Sequence, residues 1–157
     1  MDSDENKQKQ RLCEAVAEGM YALDNTAQSM GVRIDSVRPG YARASMKVRE
    51  DMLNSHGTCH GGMLFTFADT VFAYACNSEN KATVALSCTI DYAKAAKLGD
   101  ELIAVGEENF RNSRTGVYDI VITRKDGTTL CIFKGGSYQV NAESVPGLNK
   151  TMGITDS

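Results

Sequence analysis

The 157-residue chain contains no apolar run approaching the ~18 residues that a membrane span requires, so no membrane attachment is expected. Its first residues carry Asp and Glu, without the apolar stretch of a signal peptide or the Arg-rich, acid-poor character of a transit peptide, and the expectation is a cytoplasmic location. Neither sign of charge prevails: 17 Lys and Arg stand against 20 Asp and Glu, and a formal charge of -3 is too weak a field to gather nucleic acid or acidic lipid. No basic stripe or nucleic-acid motif offers a local exception. Histidine is scarce, with only His56 and His60, both in one loop. The five cysteines (Cys13, Cys59, Cys76, Cys88, Cys131) are odd in number, widely spaced and free of any CxxC pair. Neither a disulfide framework nor a zinc site is indicated, no metal is expected, and reduced, packed thiols are the plain reading. Cys59 stands apart because it lies beside His60 at a helix start, where a thiolate gains stabilisation, yet no third group that would orient His60 can be identified. Internal repeats and low-complexity blocks are missing as well.

What is present describes one core. Hydrophobic residues at 42% and charged residues at 24% are ordinary for a globular domain, and a chain of this length buries roughly two-thirds of its unfolded surface. Residues 1–10 are almost wholly polar and residues 141–157 aperiodic, so both ends are expected to be flexible, leaving 11–140 as the single folded domain. Leu12, Ala15, Val16, Gly19, Met20 and Leu23 recur near helical spacing and predict an N-terminal helix ending around Asp24-Asn25. Two alternating runs, Val32 to Val37 and Ala42 to Val48, divided by Arg38-Pro39-Gly40-Tyr41, read as a hairpin with one wet face. After a loop of turn formers comes Met63 to Cys76, apolar on nearly every side, a helix that must be enclosed by protein. Extended stretches follow at about 83–92, 100–110, 115–124 and 129–140. Strands flanking one buried helix, with no later alternation of helix and strand, predict an antiparallel α+β domain in which a sheet curls around that helix.

Asp69 is the only carboxylate within that helix, set among Phe65, Phe67, Ala68, Val71, Phe72 and Ala73. A charge so placed is unfavourable unless something pairs with it or uses it. A purely structural Asp would be bonded to neighbouring hydroxyls or to another strand; a functional one would attack an acyl carbon or aim a water at it. Gly61-Gly62 opens the same helix, where unpaired N–H groups and the positive end of the helix dipole meet, a ready oxyanion site. Gly61 and Asp69 are eight residues apart, or about 12 Å along a helix, so one small reacting group cannot touch both within a protomer. If both act on one carbonyl, Gly61 of one chain faces Asp69 of another, and a homodimer with two equivalent sites is the minimal active unit.

The stretch Leu53-Asn-Ser-His-Gly-Thr-Cys-His-Gly-Gly-Met-Leu-Phe-Thr-Phe-Ala-Asp-Thr-Val-Phe-Ala-Tyr-Ala-Cys-Asn77, with Thr89-Ile-Asp-Tyr92, Gly99-Asp100 and Thr115-Gly-Val-Tyr-Asp-Ile120, resembles the PaaI family of hotdog-fold thioesterases over roughly residues 30–140. The resemblance implies a hotdog fold, an antiparallel sheet wrapped around a long central helix with an extra N-terminal helix here. It also implies dimers sharing their active sites, commonly paired into tetramers, that hydrolyse acyl-CoA thioesters, in this subgroup those of hydroxylated phenylacetyl compounds associated with phenylacetate degradation. No cofactor is implied, since coenzyme A is part of the substrate. By the same likeness Asp69 is nucleophile or general base, the Gly61 N–H polarises the thioester carbonyl, and Asn54 orients water or carbonyl. His60 shapes the loop, with Gly62 beside it, and Ser87 or Thr89 holds the water as a hydroxyl on the following strand does in some relatives. Phe65, Phe72 and Tyr74 suit an aromatic acyl pocket and equally a core. Lys94, Lys97, Arg111 and Arg114 lie at strand ends and are candidates for the CoA phosphates. Two competing readings are a hotdog dehydratase or hydratase, which needs a His placed with a carboxylate, and a non-catalytic acyl-CoA-binding module.

Overall fold

Residues 3–155 are described by the computed structural model. The N-terminal apolar spacing becomes α1 (Asp4–Leu23), which turns Leu12, Cys13 and Val16 into the protein. Asp24 ends it and caps the next helix, accepting the Ala27 N–H at 2.9 Å and so starting the short α2 (Asn25–Ser29). The predicted hairpin is β1 (Arg33–Arg38) and β2 (Tyr41–Lys47), turning through Pro39 and a left-handed Gly40 (φ 69°). In β2 every second residue, Ala42, Ala44 and Met46, is buried, as alternation requires of a strand with one wet face. A 3-10 turn at Glu50–Met52 leads through the loop to α3 (Gly61–Cys76), then β3 (Lys81–Tyr92), β4 (Glu101–Arg111), β5 (Thr115–Arg124), β6 (Thr129–Glu143) and a final turn of helix, α4 (Leu148–Thr151). The four later strands fall within three residues of the predicted stretches at both ends.

All strands join one antiparallel sheet in the order β1-β2-β4-β5-β6-β3. The sheet wraps α3, the hotdog arrangement with an added N-terminal helix. Two glycines let helix and sheet close on each other: a Cβ on Gly135 of β6 would stand 2.7 Å from the Phe72 ring, and one on Gly106 of β4 3.0 Å from Val71. Phe67, Ala68, Val71, Phe72 and Ala75 are thereby sealed against Ala104, Ile120, Ile122 and Phe133. No helix among the described residues is long and apolar enough to cross a membrane.

The structure departs from the sequence reading in three places. Residues 4–10, expected to be flexible, continue as the exposed first turns of α1, supported by an Asp-Glu start that suits a helix N-terminus. The C-terminal boundary at 140 is too early, since β6 runs to Glu143 and the Asn80 side chain holds the segment beyond it, accepting the Val145 N–H at 2.8 Å and donating to Asn149 at 2.9 Å. Met1, Asp2, Asp156 and Ser157 lie outside the described residues. Finally, the chain does not enclose α3 on every side: Gly62 is exposed, and Thr66, Asp69 and Ala73 are half-buried along one stripe. Beside the stripe runs β3, at the sheet's edge, with Val84 51% and Leu86 63% exposed.

Candidate active site

Asp69 sits on that uncovered stripe, turned toward β3. Its Oδ1 lies 4.0 Å from the Cys88 thiol, and no other hydrogen bond or ion pair engages the carboxylate among the described residues. Burial pushes its carboxyl up from the ordinary 3.8, as expected of an acid with no cation to offset desolvation. It is therefore not the locked, internally bonded aspartate of a structural role. Two clefts elsewhere, one of about 450 Å³ between β2 and β4 near Arg43 and Lys47 and one of about 520 Å³ between α1 and β1, include no residue of α3. Asp69 opens onto the stripe instead.

The helix start has the geometry of a donor site. His60 caps α3, its Nδ1 accepting the Gly62 N–H at 2.9 Å, while the Gly61 N–H has no partner among the described residues. Gly61 offers its carbonyl to the Tyr92 hydroxyl at 2.9 Å, a contact between residues 31 apart in sequence. The Tyr92 ring presses closely: a Cβ on Gly61 would stand 3.1 Å from it, so a side chain there has to push the ring aside by a few tenths of an ångström. Asn54 organises the loop ahead of this point. Its carboxamide oxygen accepts from the His56 N–H (2.9 Å) and the Thr58 N–H (3.2 Å), and its Nδ2 donates to the Thr58 hydroxyl at 3.1 Å. That oxygen is engaged internally, and the side chain shapes the loop.

Ser87 and Thr89 do not face Asp69. In the ladder with β6, Ser87 pairs with Gly136 and Thr89 with Lys134, whereas Cys88 pairs with Gly135, the residue under Phe72, and Ile90 with the buried Phe133. Because side chains alternate across a strand, Cys88 and Ile90 point to the helix and the two hydroxyls to the outer face. A bulge between Ala85 and Ser87 sets this parity, placing Ala85 opposite the buried Ser137 on the helix side. Cys88 and Tyr92 are thus the neighbours that the sequence reading did not assign; only a correct register for β3 would have found them.

The candidate cations separate by position. Lys94 is exposed two residues beyond Tyr92, at the Gly61 end of α3, and its ammonium makes no hydrogen bond or ion pair among the described residues. Arg111 is committed to Glu79 (2.7 Å) and Glu108 (3.3 Å) at the opposite end, so it is not the free charge that phosphate recognition asks for. Arg114, exposed at that end, donates to the Gln139 carbonyl at 3.3 Å. Of the aromatic candidates, Phe72 and Tyr74 are core: Phe72 packs on Tyr118 and Phe133, and the Tyr74 hydroxyl bonds Asp24 at 3.2 Å. Phe65 is half-buried, edge-on to Phe133 at 5.4 Å. Cys59 is buried and burial pushes its thiol up to about 11, which removes it as a thiolate nucleophile. Among the described residues no three His, Cys, Asp or Glu side chains converge to hold a metal ion.

A family model described as Thioesterase superfamily matches residues 56–131, which include the glycine pair, Asp69 and Tyr92. Acyl-coenzyme A thioesterase PaaI of Escherichia coli (strain K12) is 44% identical over 124 residues, spanning 79% of this chain and 89% of that one. The solved structure of the E. coli PaaI protein from the phenylacetic acid degradation operon superposes with a TM-score of 0.85 at 40% identity, covering 86% of this chain and 98% of the other. A hypothetical thioesterase from Streptococcus pneumoniae TIGR4, solved with coenzyme A, superposes with a TM-score of 0.68 at 32% identity, covering 71% and 90%.

Proposed function

The chain belongs to the thioesterase superfamily, among the PaaI-type acyl-CoA thioesterases with a hotdog fold, and from that premise we propose that it hydrolyses aryl-acyl-CoA thioesters, of the hydroxyphenylacetyl type, to the free acid and CoA. The observation that carries the assignment of roles is the half-buried Asp69, free of any charged partner, on the uncovered stripe of a helix that begins with a glycine whose N–H is unbonded. Asp69 attacks the thioester carbon or takes a proton from the water that does, and the Gly61 N–H stabilises the oxyanion that develops. Water supplies the hydroxyl of the acid product, and the C–S bond breaks to leave CoA thiolate, which takes up a proton.

Spacing along α3 makes the site a shared one. The ~12 Å between Gly61 and Asp69 is bridged when two α3 helices lie antiparallel across a two-fold axis, covering the open stripe of each. The same pairing joins the exposed β3 edges, with Val84 and Leu86 available to be buried. It also carries Arg114, at one chain's far end of α3, toward the Gly61 end of the other, where Lys94 already stands; these two cations are assigned to the CoA phosphates. Phe65, the accessible aromatic of the candidates, borders the acyl group. The assembly is a homodimer, paired further into a homotetramer as in the family.

Free CoA released from a panel of aryl- and alkyl-acyl-CoA substrates is the test. Asp69→Asn, which keeps shape and removes charge, is expected to lower kcat by about 10²- to 10⁴-fold. Undiminished hydrolysis in that variant overturns the assignment, and an enoyl product without free thiol would make the protein a hydratase or dehydratase. Saturable binding without turnover on every substrate would make it a binding module.

A further inference from the structure

Two adjacent glycines begin α3, and glycine is the residue that holds its own backbone least. An oxyanion donor contributes through being aimed before charge develops, so a loose donor is a weak one. Here the single peptide unit between Gly61 and Gly62 is fixed at both ends. Its carbonyl accepts the Tyr92 hydroxyl at 2.9 Å, and its N–H donates to His60 Nδ1 at 2.9 Å. Peptide planarity makes these two bonds act on one rigid plate, so that only the φ and ψ of Gly61 itself separate that plate from the Gly61 N–H. His60 is the neighbouring residue and a helix cap; Tyr92 reaches in from the last position of β3, the strand that also carries Cys88 against Asp69. Its ring lies 3.1–3.2 Å from where a Gly61 Cβ would stand, closing the side of the glycine away from the helix. Burial pushes the phenol up from 10.0, so the hydroxyl stays a donor throughout the neutral range.

We infer that Tyr92 is a positioning residue of the hydrolytic site: by holding the Gly61 carbonyl, its hydroxyl aims the Gly61 N–H at the thioester oxygen. The inference rests on the role proposed for Gly61. A donor aimed at an oxyanion acts on the transition state more than on bound substrate, so loss of aim appears in kcat. A tyrosine that merely packed would be replaced by phenylalanine without kinetic effect, and one that contacted substrate would show itself in KM.

Tyr92→Phe keeps the ring and removes the hydroxyl. The expected result is a fall in kcat of about fivefold, the size of one neutral hydrogen bond, with KM within about twofold of the parent. Hydrogen exchange at the Gly62 amide should quicken while the interior of α3 is unchanged. An unaltered kcat overturns the inference, as does a rise confined to KM. A loss of kcat no larger than the loss of folded protein assigns Tyr92 to the fold and overturns it too. Asp69→Asn run in parallel separates the two levels: if it is as active as the parent, the hydrolytic assignment fails and the role of Tyr92 with it. If it is inactive while Tyr92→Phe is fully active, Tyr92 alone is misassigned.

Discussion

Asp69 destabilises the fold that holds it. Its carboxyl titrates above the ordinary 3.8 because burial disfavours the charged form, so the folded chain binds that proton more tightly than the unfolded chain does. The stabilising contribution of the protonated acid is complete below 3.8 and is lost as pH rises through the higher folded value; at pH 7 a desolvated charge remains. Asp69→Asn is therefore expected to melt higher than the parent at pH 7, by about 1–2 °C, less than the ~2–4 °C that a full 1 kcal/mol gives a chain of this size, because the group is half in water. Thermal scans at pH 7 and below 3.8 check this: the gap should close in acid, and equal midpoints at pH 7 would mean that Asp69 is fully solvated in the folded protein. The residue is legible in the sequence for the same reason that it is destabilising, since a lone carboxylate among phenylalanines has no packing purpose. Gly61 is legible from its place at a helix start. Ser87 and Thr89 mislead because hydroxyl chemistry says nothing about which face of a strand it occupies; one bulge at the Ala85–Ser87 step sends both outward and brings Cys88 in.

At the scale of elements, β3 is the exposed part of the design. It is twelve residues long, pairs with β6 on one side only, and turns Val84 and Leu86 to solvent. Such an edge pairs with another chain unless something blocks it, and no Pro or helix among the described residues does so. Leu86→Lys places a charge on that edge, and since burying a leucine contributes ~1.5–3 kcal/mol, association should weaken by at least about tenfold. Analytical ultracentrifugation over a dilution series measures it, with activity expected to follow the dimer fraction; a variant as tightly associated and as active as the parent would remove β3 from the interface. Hydropathy gives α3 and the strands their places, because periods of 3.6 and 2 survive in Met63 to Cys76 and in Ala42, Ala44 and Met46. It does not tell which protein surface covers an apolar helix, and so the open stripe at Gly62, Thr66, Asp69 and Ala73 is not legible from it. Nor is the Tyr92–Gly61 bond, whose partners meet because a strand end and a helix start converge in space.

For the whole molecule the decisive quantity is the length of α3 between the two groups proposed to act. A helix rises ~1.5 Å per residue however the rest of the chain is arranged, so Gly61 and Asp69 of one copy stay about 12 Å apart and, in the proposed mechanism, act on different thioesters. Two damaged chains can then repair each other. An Asp69→Asn chain retains its glycine donor, while a Gly61→Val chain retains its acid but blocks the donor, the valine meeting the Tyr92 ring where a Cβ alone comes within 3.1 Å. In the proposed homodimer of either variant both sites are broken. Equal mixing and subunit exchange produce heterodimers in which one site joins two mutated halves and the other joins two intact halves, so about a quarter of the parent's activity should return, from two nearly inactive preparations. Exchange is verified by separating differently tagged chains as mixed dimers. Should mixed dimers form from folded chains and remain inactive, acid and donor would have to belong to one protomer, a geometry that the helix rise does not allow for a single small thioester.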